Sequence, residues 1–319
     1  MMKYINPFII LLWVVLVAGC IKENRDDCGR CTLRFSYVGD GTTEIFQKKI
    51  EKVNLYVFDA NHNCIVSRTL KQNELSTQSI SLELSPGTYR AVCIGNAFEA
   101  TVITDVNCGN YKDIHCTHPC CLSGDIIHSN DSLYQGSKEF AVPKNRELTE
   151  TIPFSASHID MYVEVKGYIE TAARSTSPLK LEVNNLSTWV NFNNEVTDDE
   201  LATYYPLSDV EKQSYVYRFN ILKQTEHPCL KLYDSDNKEI FSMQLADFLE
   251  KHPEINIDKN GFNYSRFVSH MNYLFKRGKK GKYIFSKNSE MYDTLIKCYP
   301  KTNRIVEKIT IYLEDAMKC

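Results

Sequence analysis

The sequence of 319 residues is poor in several features on which large classes of protein depend. Glycine occurs only 13 times, which disfavours the glycine-rich loops that bind nucleotides. The formal net charge is −3, from 37 Lys and Arg against 40 Asp and Glu, so the excess of positive charge typical of nucleic-acid-binding proteins is missing. No apolar run approaches the roughly 20 residues that a transmembrane helix needs.

Sequence motifs of catalysis are missing as well. The chain has no Gly-x-Ser-x-Gly elbow, no His-Glu-x-x-His motif and no Gly-Lys-Ser/Thr phosphate loop. Two acidic clusters, Asp198-Asp199-Glu200 and Asp234-x-Asp-Asn237, have ligand types suited to calcium but lack the EF-hand spacing, which favours solvated turns. We therefore expect no enzymatic activity, no cofactor, no bound metal and no small-molecule substrate or nucleic acid as a partner.

The N-terminus has the features of an export signal. Lys3 precedes an apolar run over residues 8–18, which is too short to span a membrane and is typical of a signal peptide. The run ends in Val17-Ala-Gly-Cys20, which resembles the lipobox of bacterial lipoproteins. This resemblance implies cleavage between Gly19 and Cys20 and fatty acylation of Cys20, and two or more acyl chains anchor a protein stably. A plain signal peptide followed by a chance cysteine is the alternative.

The segment that follows Cys20 is short and polar. It contains the charged residues Lys22, Glu23, Asp26 and Asp27, and acidic residues near a lipidated cysteine resemble the surface-export signal of Bacteroidota lipoproteins. An ordinary solvated tether would have the same composition. We expect an outer-membrane lipoprotein whose export signal places it on the cell surface.

The 12 cysteines are too many for a typical cytosolic protein, and disulfides persist outside the cytosol. They are densest in Cys28-Gly-Arg-Cys31 and His115-Cys-Thr-His-Pro-Cys-Cys121. We expect disulfides that join a long loop to the N-terminal strand, with a zinc site or free thiols as the alternatives. The pairing cannot be deduced from the sequence. The candidate disulfide residues are Cys28, Cys31, Cys93, Cys108, Cys116, Cys120 and Cys121.

Apolar residues alternate with a period of two along most of the chain, which predicts β-strands. The run Val53-Asn-Leu-Tyr-Val-Phe58 is a clear example, because a turn-rich stretch, Asp59–Asn63, ends it. The polar, cysteine-bearing stretch 96–138 is predicted to be an insertion loop, and residues 245–249 a short helix. The predicted strands cover residues 32–38, 53–58, 64–70, 80–84, 88–94, 147–154, 159–165, 179–183, 215–222, 230–233, 240–243 and 304–313.

These patterns predict an all-β protein of two β-sandwich domains with little helix. We expect a signal peptide at residues 1–19 and a lipidated tether at 20–30. The N-terminal β-sandwich with its cysteine-rich loop is expected at 31–146, and the C-terminal β-sandwich at 147–319.

Four features occur together in the first third of the chain. They are the lipobox, Asp26-Asp27-Cys28 just after it, the run Val53–Asp59, and Leu82-Glu-Leu-Ser-Pro-Gly-Thr-Tyr89 leading into Gly95-Asn96. Together they resemble the FimB-type fimbrial anchor lipoproteins of Bacteroidota, which belong to type V pilus systems. The resemblance is clearest over residues 16–100, and the cysteine density and the stretch 96–138 depart from it. The family implies two transthyretin-like domains, an outward-facing lipid anchor, and a subunit that anchors fimbriae and limits their length.

Subunits of such fimbriae are joined by strand exchange, in which one chain's strand satisfies the unpaired N–H and C=O groups of another's sheet. The last predicted strand, Arg304–Leu313, is our candidate for this contact with a fimbrial stalk subunit. An ordinary closing strand of the second sandwich is the alternative. The candidate interface residues are Ile305, Ile309, Ile311 and Leu313.

A surface lipoprotein that binds a glycan or a host ligand is the alternative function, and an accessory or tip fimbrial subunit is a variant of the anchor. Of the two tryptophans able to stack on sugars, Trp13 leaves with the signal peptide and Trp189 remains. The basic run Lys276–Lys282 is expected to be a hairpin turn. Asp131-Ser-Leu133 and Asp293-Thr-Leu295 resemble the acceptor motif of Bacteroidota O-glycosylation.

Overall fold

The computed structural model describes residues 29–39, 43–104, 106–107, 111, 113–144, 146–166, 179–196, 199–211, 214–224 and 228–246, together with the strands 270–277, 283–287 and 307–314. These residues form 20 β-strands and three short helices, so the all-β prediction is confirmed. Within the described residues, no helix has the length and apolar character needed to cross a membrane.

A sheet of seven strands forms the first half of the chain, in the order β3-β2-β5-β8-β9-β1-β4. The pairing of β1 with β9 is parallel, and the other neighbours are antiparallel. The elements up to this point are β1 (Gly29–Ser36), α1 (Phe46–Lys49), β2 (Val53–Phe58), β3 (Cys64–Thr69), α2 (Gln72–Ser76), β4 (Ser79–Leu84), β5 (Gly87–Gly95), β6 (Val102–Ile103), β7 (His115–Thr117), α3 (Pro119–Ser123), β8 (Tyr134–Val142) and β9 (Leu148–Ala156).

The second half contains a six-stranded and a four-stranded sheet, in the orders β14-β15-β10-β20-β18-β19 and β13-β11-β16-β17. The strands β18 and β19 pair antiparallel on either side of the predicted basic hairpin. The strands are β10 (His158–Lys166), β11 (Lys180–Ser187), β12 (Trp189–Asn191), β13 (Leu201–Tyr204), β14 (Ser208–Glu211), β15 (Ser214–Leu222), β16 (Cys229–Tyr233), β17 (Glu239–Gln244), β18 (His270–Arg277), β19 (Tyr283–Lys287) and β20 (Glu307–Glu314).

The two halves share the arrangement of their first and last strands. In the first half, β1 lies between β4, which is antiparallel to it, and β9, which is parallel. In the second half, β10 lies in the same way between antiparallel β15 and parallel β20. The strand β20 therefore occupies the place in the second half that β9 occupies in the first.

The change from the first sheet to the second occurs at Ser157, between β9 and β10. Because β9 pairs with β8 and β1, it belongs to the first sheet. The predicted division between residues 146 and 147 precedes β9. Of the helix predicted at 245–249, Leu245 and Ala246 are helical, and residues 247–249 lie outside the described part.

The strand β2 shows how the sequence pattern produces the core. Val53, Leu55 and Val57 alternate along it and are fully buried in the main apolar cluster, as the period of two predicts. Tyr56 and Phe58 point to the other face of the sheet and are also buried, in a second cluster. Both faces of this strand are therefore covered, and the covering of the second face comes from the insertion described below.

The hairpins β2–β3 and β16–β17 end in the same turn. The Oδ1 atom of Asp59 accepts hydrogen bonds from the backbone N–H groups of Asn61 and Asn63, and that of Asp234 accepts from those of Asp236 and Lys238. The acidic cluster at 234–237 is thus a side-chain-stabilised turn, as predicted.

Candidate functional site

The predicted lipidation and export residues lie outside the described residues and remain sequence predictions. These are Gly19, Cys20, Lys22, Glu23, Asp26 and Asp27. The same applies to Cys28, Cys108 and Ile305.

The predicted C-terminal strand is β20, and it lies inside the six-stranded sheet. It pairs in parallel with β10 on one side and with β18 on the other. The register sets Ile309 opposite Val163 and Ile311 opposite Val165, and both valines are fully buried. Leu313, at the other end of the strand, pairs with Phe275 of β18.

Both edges of β20 are therefore occupied along most of its length. A strand in this position does not offer an open edge to another chain. It fills a slot between β10 and β18. We call this place the β10–β18 slot.

The cysteine-rich insertion is more ordered than the sequence predicted. It contains β6, β7 and α3, and β8 begins within the stretch 96–138. The strand β7 pairs with β6 and also with β12, which belongs to the second half of the chain. Through this three-stranded sheet, the insertion connects the two halves.

Three side chains of the motif His115–Cys121 stabilise the local structure. The imidazole of His115 stacks on the indole of Trp189, with the ring centroids 4.0 Å apart. The Thr117 hydroxyl donates a hydrogen bond of 2.7 Å to the carbonyl oxygen of Thr188. The Nδ1 atom of His118 accepts from the N–H of Cys120 and so caps α3. The motif thus forms a local fold that holds β7 against β12.

No three side chains of the types His, Cys, Asp or Glu come together as a metal site in the part of the chain that the structure describes. Cys116, one ligand of the alternative zinc site, is only 1% exposed. It lies in the second cluster, on the opposite side of β7 from His115. The side chains of Cys116 and His115 therefore do not converge on one point.

The predicted disulfides are not present among the described cysteines, which are all free thiols: Cys31, Cys64, Cys93, Cys116, Cys120, Cys121 and Cys229. Packing explains this correction. Cys31 in β1 and Cys93 in β5 are buried in the main cluster, but β8 and β9 lie between their strands. Cys116 belongs to the second cluster. Burial raises the pKa of the Cys31 thiol to about 11 and that of Cys116 to about 12, so these cysteines act as small apolar residues.

Phe192, which directly follows β12, contacts the first half of the chain. Its side chain is fully buried, and its ring centroid lies 5.2 Å from that of Tyr56 and 6.3 Å from that of Phe58. Its backbone N–H lies within hydrogen-bonding distance of the carbonyl oxygens of Tyr111 and Ile114, at 3.3 and 3.1 Å. A residue of the second half therefore fills an aromatic pocket in the first.

Polar contacts surround Phe192. Arg90 donates a hydrogen bond of 2.6 Å to Oδ1 of Asn193, and its guanidinium lies 4.4 Å from the ring centroid of Tyr111. Oδ1 of Asn194 accepts from the Ser157 hydroxyl at 2.8 Å. Nζ of the buried Lys223 donates to the carbonyl oxygen of Asn194 at 2.9 Å, and burial lowers the pKa of this amine. We call β6, β7, β12 and residues 191–195 the inter-domain clasp.

Sequence reasoning missed the clasp because its strands are only two or three residues long. The signal that could have found it is the alternation of apolar Ile114 and Cys116 with polar His115 and Thr117. The partner strand β12 has no such pattern.

The residues of the family-like motifs shape turns in the first half. The Tyr89 hydroxyl donates a 2.8 Å hydrogen bond to the carbonyl oxygen of Ser85 and closes the turn before β5. Asn96 has a φ of 58°, and its side chain accepts from the N–H of Glu51 and donates to the carbonyl oxygen of Lys49, both at 2.8 Å. These motifs consequently stabilise local structure.

Asp131, in the motif that resembles a glycosylation acceptor, also has a structural role. Its carboxylate accepts hydrogen bonds from the N–H of Phe98 at 2.8 Å and from the hydroxyl of Thr101 at 2.6 Å, and Leu133 is buried. The second motif, Asp293–Leu295, lies outside the described residues.

Comparisons with known proteins agree with this fold. The family model described as "Fimbrillin-A associated anchor proteins Mfa1 and Mfa2" matches residues 25–296. The fimbrial anchor protein Mfa2 from Porphyromonas gingivalis is 13% identical and superposes with a TM-score of 0.63 over 81% of this chain and 95% of its own. A putative adhesin from Bacteroides thetaiotaomicron is 16% identical, with a TM-score of 0.61 over 82% of this chain and 96% of its own.

A putative polysaccharide binding protein, also from Bacteroides thetaiotaomicron, is 21% identical, with a TM-score of 0.60 over 69% of this chain and 82% of its own. The comparison with curated proteins finds no match. The structural likenesses establish a shared fold. The family match covers most of the chain and confirms the resemblance seen in the sequence: the chain belongs to the family of fimbrillin-A associated anchor proteins Mfa1 and Mfa2.

Proposed function

We propose that this chain is the base subunit of a fimbrium, which holds the stalk at the outer membrane and limits its length. Membership of the anchor family supports a fimbrial role. The lipobox ending at Cys20 supports attachment to the membrane, since acyl chains on this residue would hold the chain there. The observation that carries the proposal is the β10–β18 slot, because it offers a way to hold another subunit.

The slot explains how a strand could join two subunits firmly. The strand β20 pairs with β10 over residues 307–312 and with β18 over residues 308–314. A strand held in this way forms hydrogen bonds on both sides, and each contributes about 0.5–1.5 kcal/mol to stability. A contact of this kind resists pulling because the whole ladder must break together. The strand that fills the slot is therefore the natural element of exchange with the stalk.

An anchor also has to transmit force between the stalk and the lipid. The strands β9 and β10 follow each other through Ser157 alone, and the inter-domain clasp adds a second connection. With two connections, the halves cannot swing about a single hinge. A load applied to the second half would then reach the N-terminal tether without unfolding the junction.

The experiment that tests the proposal tracks fimbriae in cells that carry Cys20→Ala. We expect the fimbriae to leave the cells and to accumulate in the medium. Cys64→Ala is a matched control, since Cys64 is a half-buried free thiol in β3, at the opposite edge of the sheet from β4 and its neighbour β1, and it should retain fimbriae. Fimbriae of normal length that stay on Cys20→Ala cells would contradict the anchor function.

Deletion of the gene separates an anchor from a tip subunit. Loss of a length-limiting base should give long or shed fimbriae. Loss of a tip subunit should leave attached fimbriae of ordinary length, and this outcome would contradict the length-limiting part of the proposal.

Binding of a glycan or host ligand is the second candidate function, and Trp189 is the residue that bears on it. One face of its indole is covered by His115, which leaves less of the ring for stacking on a sugar. A glycan-array signal that is lost in Trp189→Ala would favour this function over the anchor.

A further inference from the structure

Exposed apolar side chains are concentrated in α3 and its C-terminal continuation and in the segment that contains β13 and β14. Of the eight large apolar side chains that are exposed in the described residues, five lie in two short segments, 122–126 and 201–210. They are Leu122 (69% exposed), Ile126 (62%), Leu201 (46%), Leu207 (67%) and Val210 (71%). We call these five side chains the β13–β14 face. Apolar clusters of this kind on a protein surface mark interaction sites.

Backbone contacts bring the two segments together. Ile127, next to Ile126, forms a parallel bridge with Tyr204, and the N–H of Tyr205 donates a 2.8 Å hydrogen bond to the Ile127 carbonyl oxygen. Nearby, the side-chain amide of Asn130 donates to the Tyr204 hydroxyl at 2.6 Å. The insertion of the first half therefore lies against the connection between β13 and β14.

The strand β14 has one open edge. It pairs with β15 through residues 208–211, and the described strands include no neighbour on its other side. An open edge presents unpaired N–H and C=O groups to which an extended segment can add. Val210 lies in this strand, so an added strand would cover its side chain.

The surroundings of the β13–β14 face are acidic. Exposed carboxylates lie in or next to both segments, at Asp125, Asp199 and Glu200, and in β14, where Asp209 and Glu211 alternate with Val210 and lie on the opposite face of the sheet. Arg218 forms ion pairs with Asp209 at 3.8 Å and with Glu211 at 2.8 Å, which offsets only part of this charge. Complementary charge steers association and selects partners, so this rim favours a basic occupant.

Charged residues on an edge strand can also serve to prevent strand addition. Asp209 and Glu211 alone would fit that purpose. Val210, which lies between them, does not serve to prevent strand addition. Its apolar side chain is 71% exposed on an edge strand, which promotes addition. A strand added to β14 would therefore meet an apolar side chain on one face of the sheet and carboxylates on the other, which favours a strand that alternates apolar with basic residues.

We propose that the β13–β14 face receives an extended segment of a partner fimbrial subunit, which alternates apolar with basic side chains and adds to β14 as a strand. This inference rests on the proposed function and names the chemistry of the partner. The site is distinct from the β10–β18 slot, since β14 is an edge strand of the six-stranded sheet and the slot lies in its interior.

Peptide binding to the full chain carrying Cys20→Ala tests the chemistry. The probes are two fluorescent ten-residue peptides, one alternating Val with Lys and the other Val with Glu, followed by anisotropy. We expect the lysine peptide to bind at least tenfold more tightly, and the preference to shrink as salt is raised. The pair Asp209→Lys and Glu211→Lys should reverse the preference.

The pair Leu207→Glu and Val210→Glu separates docking from general attraction. It adds negative charge, so non-specific attraction of the lysine peptide would become stronger, whereas loss of the apolar centre should weaken docking at least tenfold. Ile65→Glu is the matched control, because Ile65 is 45% exposed on the edge strand β3. Equal binding of both peptides, tighter binding by the double variant, or an equal loss in the control would overturn the inference.

The same double variant in cells, with Cys20 intact, distinguishes this inference from the proposed function. We expect the lipidated protein to reach the outer membrane in normal amounts and with unchanged thermal stability, since both side chains are exposed, while the fimbriae are shed. If Cys20→Ala sheds fimbriae and the double variant retains them, the inference is wrong and the anchor function stands. If neither variant sheds them, both are wrong.

Discussion

Replacing Phe192 with alanine should uncouple the unfolding of the two halves of the chain. The Phe192 side chain is fully buried between Tyr56 and Phe58 of the first half, although it belongs to the second. Truncation of a buried phenylalanine costs about 3–5 kcal/mol, because the transfer free energy is lost and a cavity remains. The two aromatic contacts place the expected loss toward the upper end of that range.

Calorimetry of the full chain carrying Cys20→Ala measures this effect. The parent protein should unfold in one transition, since the clasp joins the halves. The Phe192→Ala variant should show two, because the lost free energy stabilised the junction. Phe46→Ala is the control: Phe46 is equally buried and packs against Phe35 and Phe154, but all three rings belong to the first half.

The control should lose a similar amount of stability and shift the melting without dividing it. The reasoning would be refuted if Phe192→Ala lowered the free energy of unfolding by less than about 1 kcal/mol. It would be refuted equally if both variants divided the transition, since the effect would not then belong to the clasp.

Three further predictions follow from single sites. A Cβ atom at Gly136 would lie 2.8 Å from the Pro153 carbonyl oxygen, so Gly136→Ala should cost about 1–3 kcal/mol in urea unfolding, while Gly87→Ala, with no contact under 3.5 Å, should cost far less. Asn96→Ala leaves the Glu51 N–H and the Lys49 carbonyl without their partner and should cost about 1–3 kcal/mol by the same measurement, and an unchanged midpoint would contradict it. Burial raises the pKa of the Cys116 thiol to about 12. The contribution of this thiol to stability should therefore be complete below the ordinary thiol pKa of about 8.5 and decline as the pH rises toward about 12. Iodoacetamide at about pH 8 should label Cys116 in urea but not in the native protein.

Local pattern was enough to predict most of the regular strands. The run from Val53 to Phe58 forms β2 with the predicted bounds, because alternating apolar residues bury one face and Asp59 closes the turn. Patterning of this kind reports which face of a strand is apolar. It does not report what covers the other face. The packing of the insertion on Tyr56 and Phe58 could therefore not be predicted.

The pairing of strands far apart in the chain could not be predicted from the sequence, for a related reason. The place of β20 between β10 and β18 depends on residues about 150 and 40 positions earlier, and parallel neighbours leave no turn between them to reveal the pairing. The number of cysteines indicated disulfides, but the described cysteines are free thiols, because burial makes a thiol equally suitable as a small apolar side chain. Cys93, in the interior of β5, shows this most clearly.

The second apolar cluster bears directly on how an anchor could act as one body. It is formed by Tyr56 and Val92 of the first sheet, Cys116 of the insertion, and Val190 and Phe192 of the second half. Without the clasp, the first sheet would expose an aromatic face to water, which lowers the stability of the first half. The first half is therefore stabilised by contact with the second. A pull on the fimbria would be resisted by this contact as well as by the covalent connection at Ser157, which is the mechanical property that a base subunit needs.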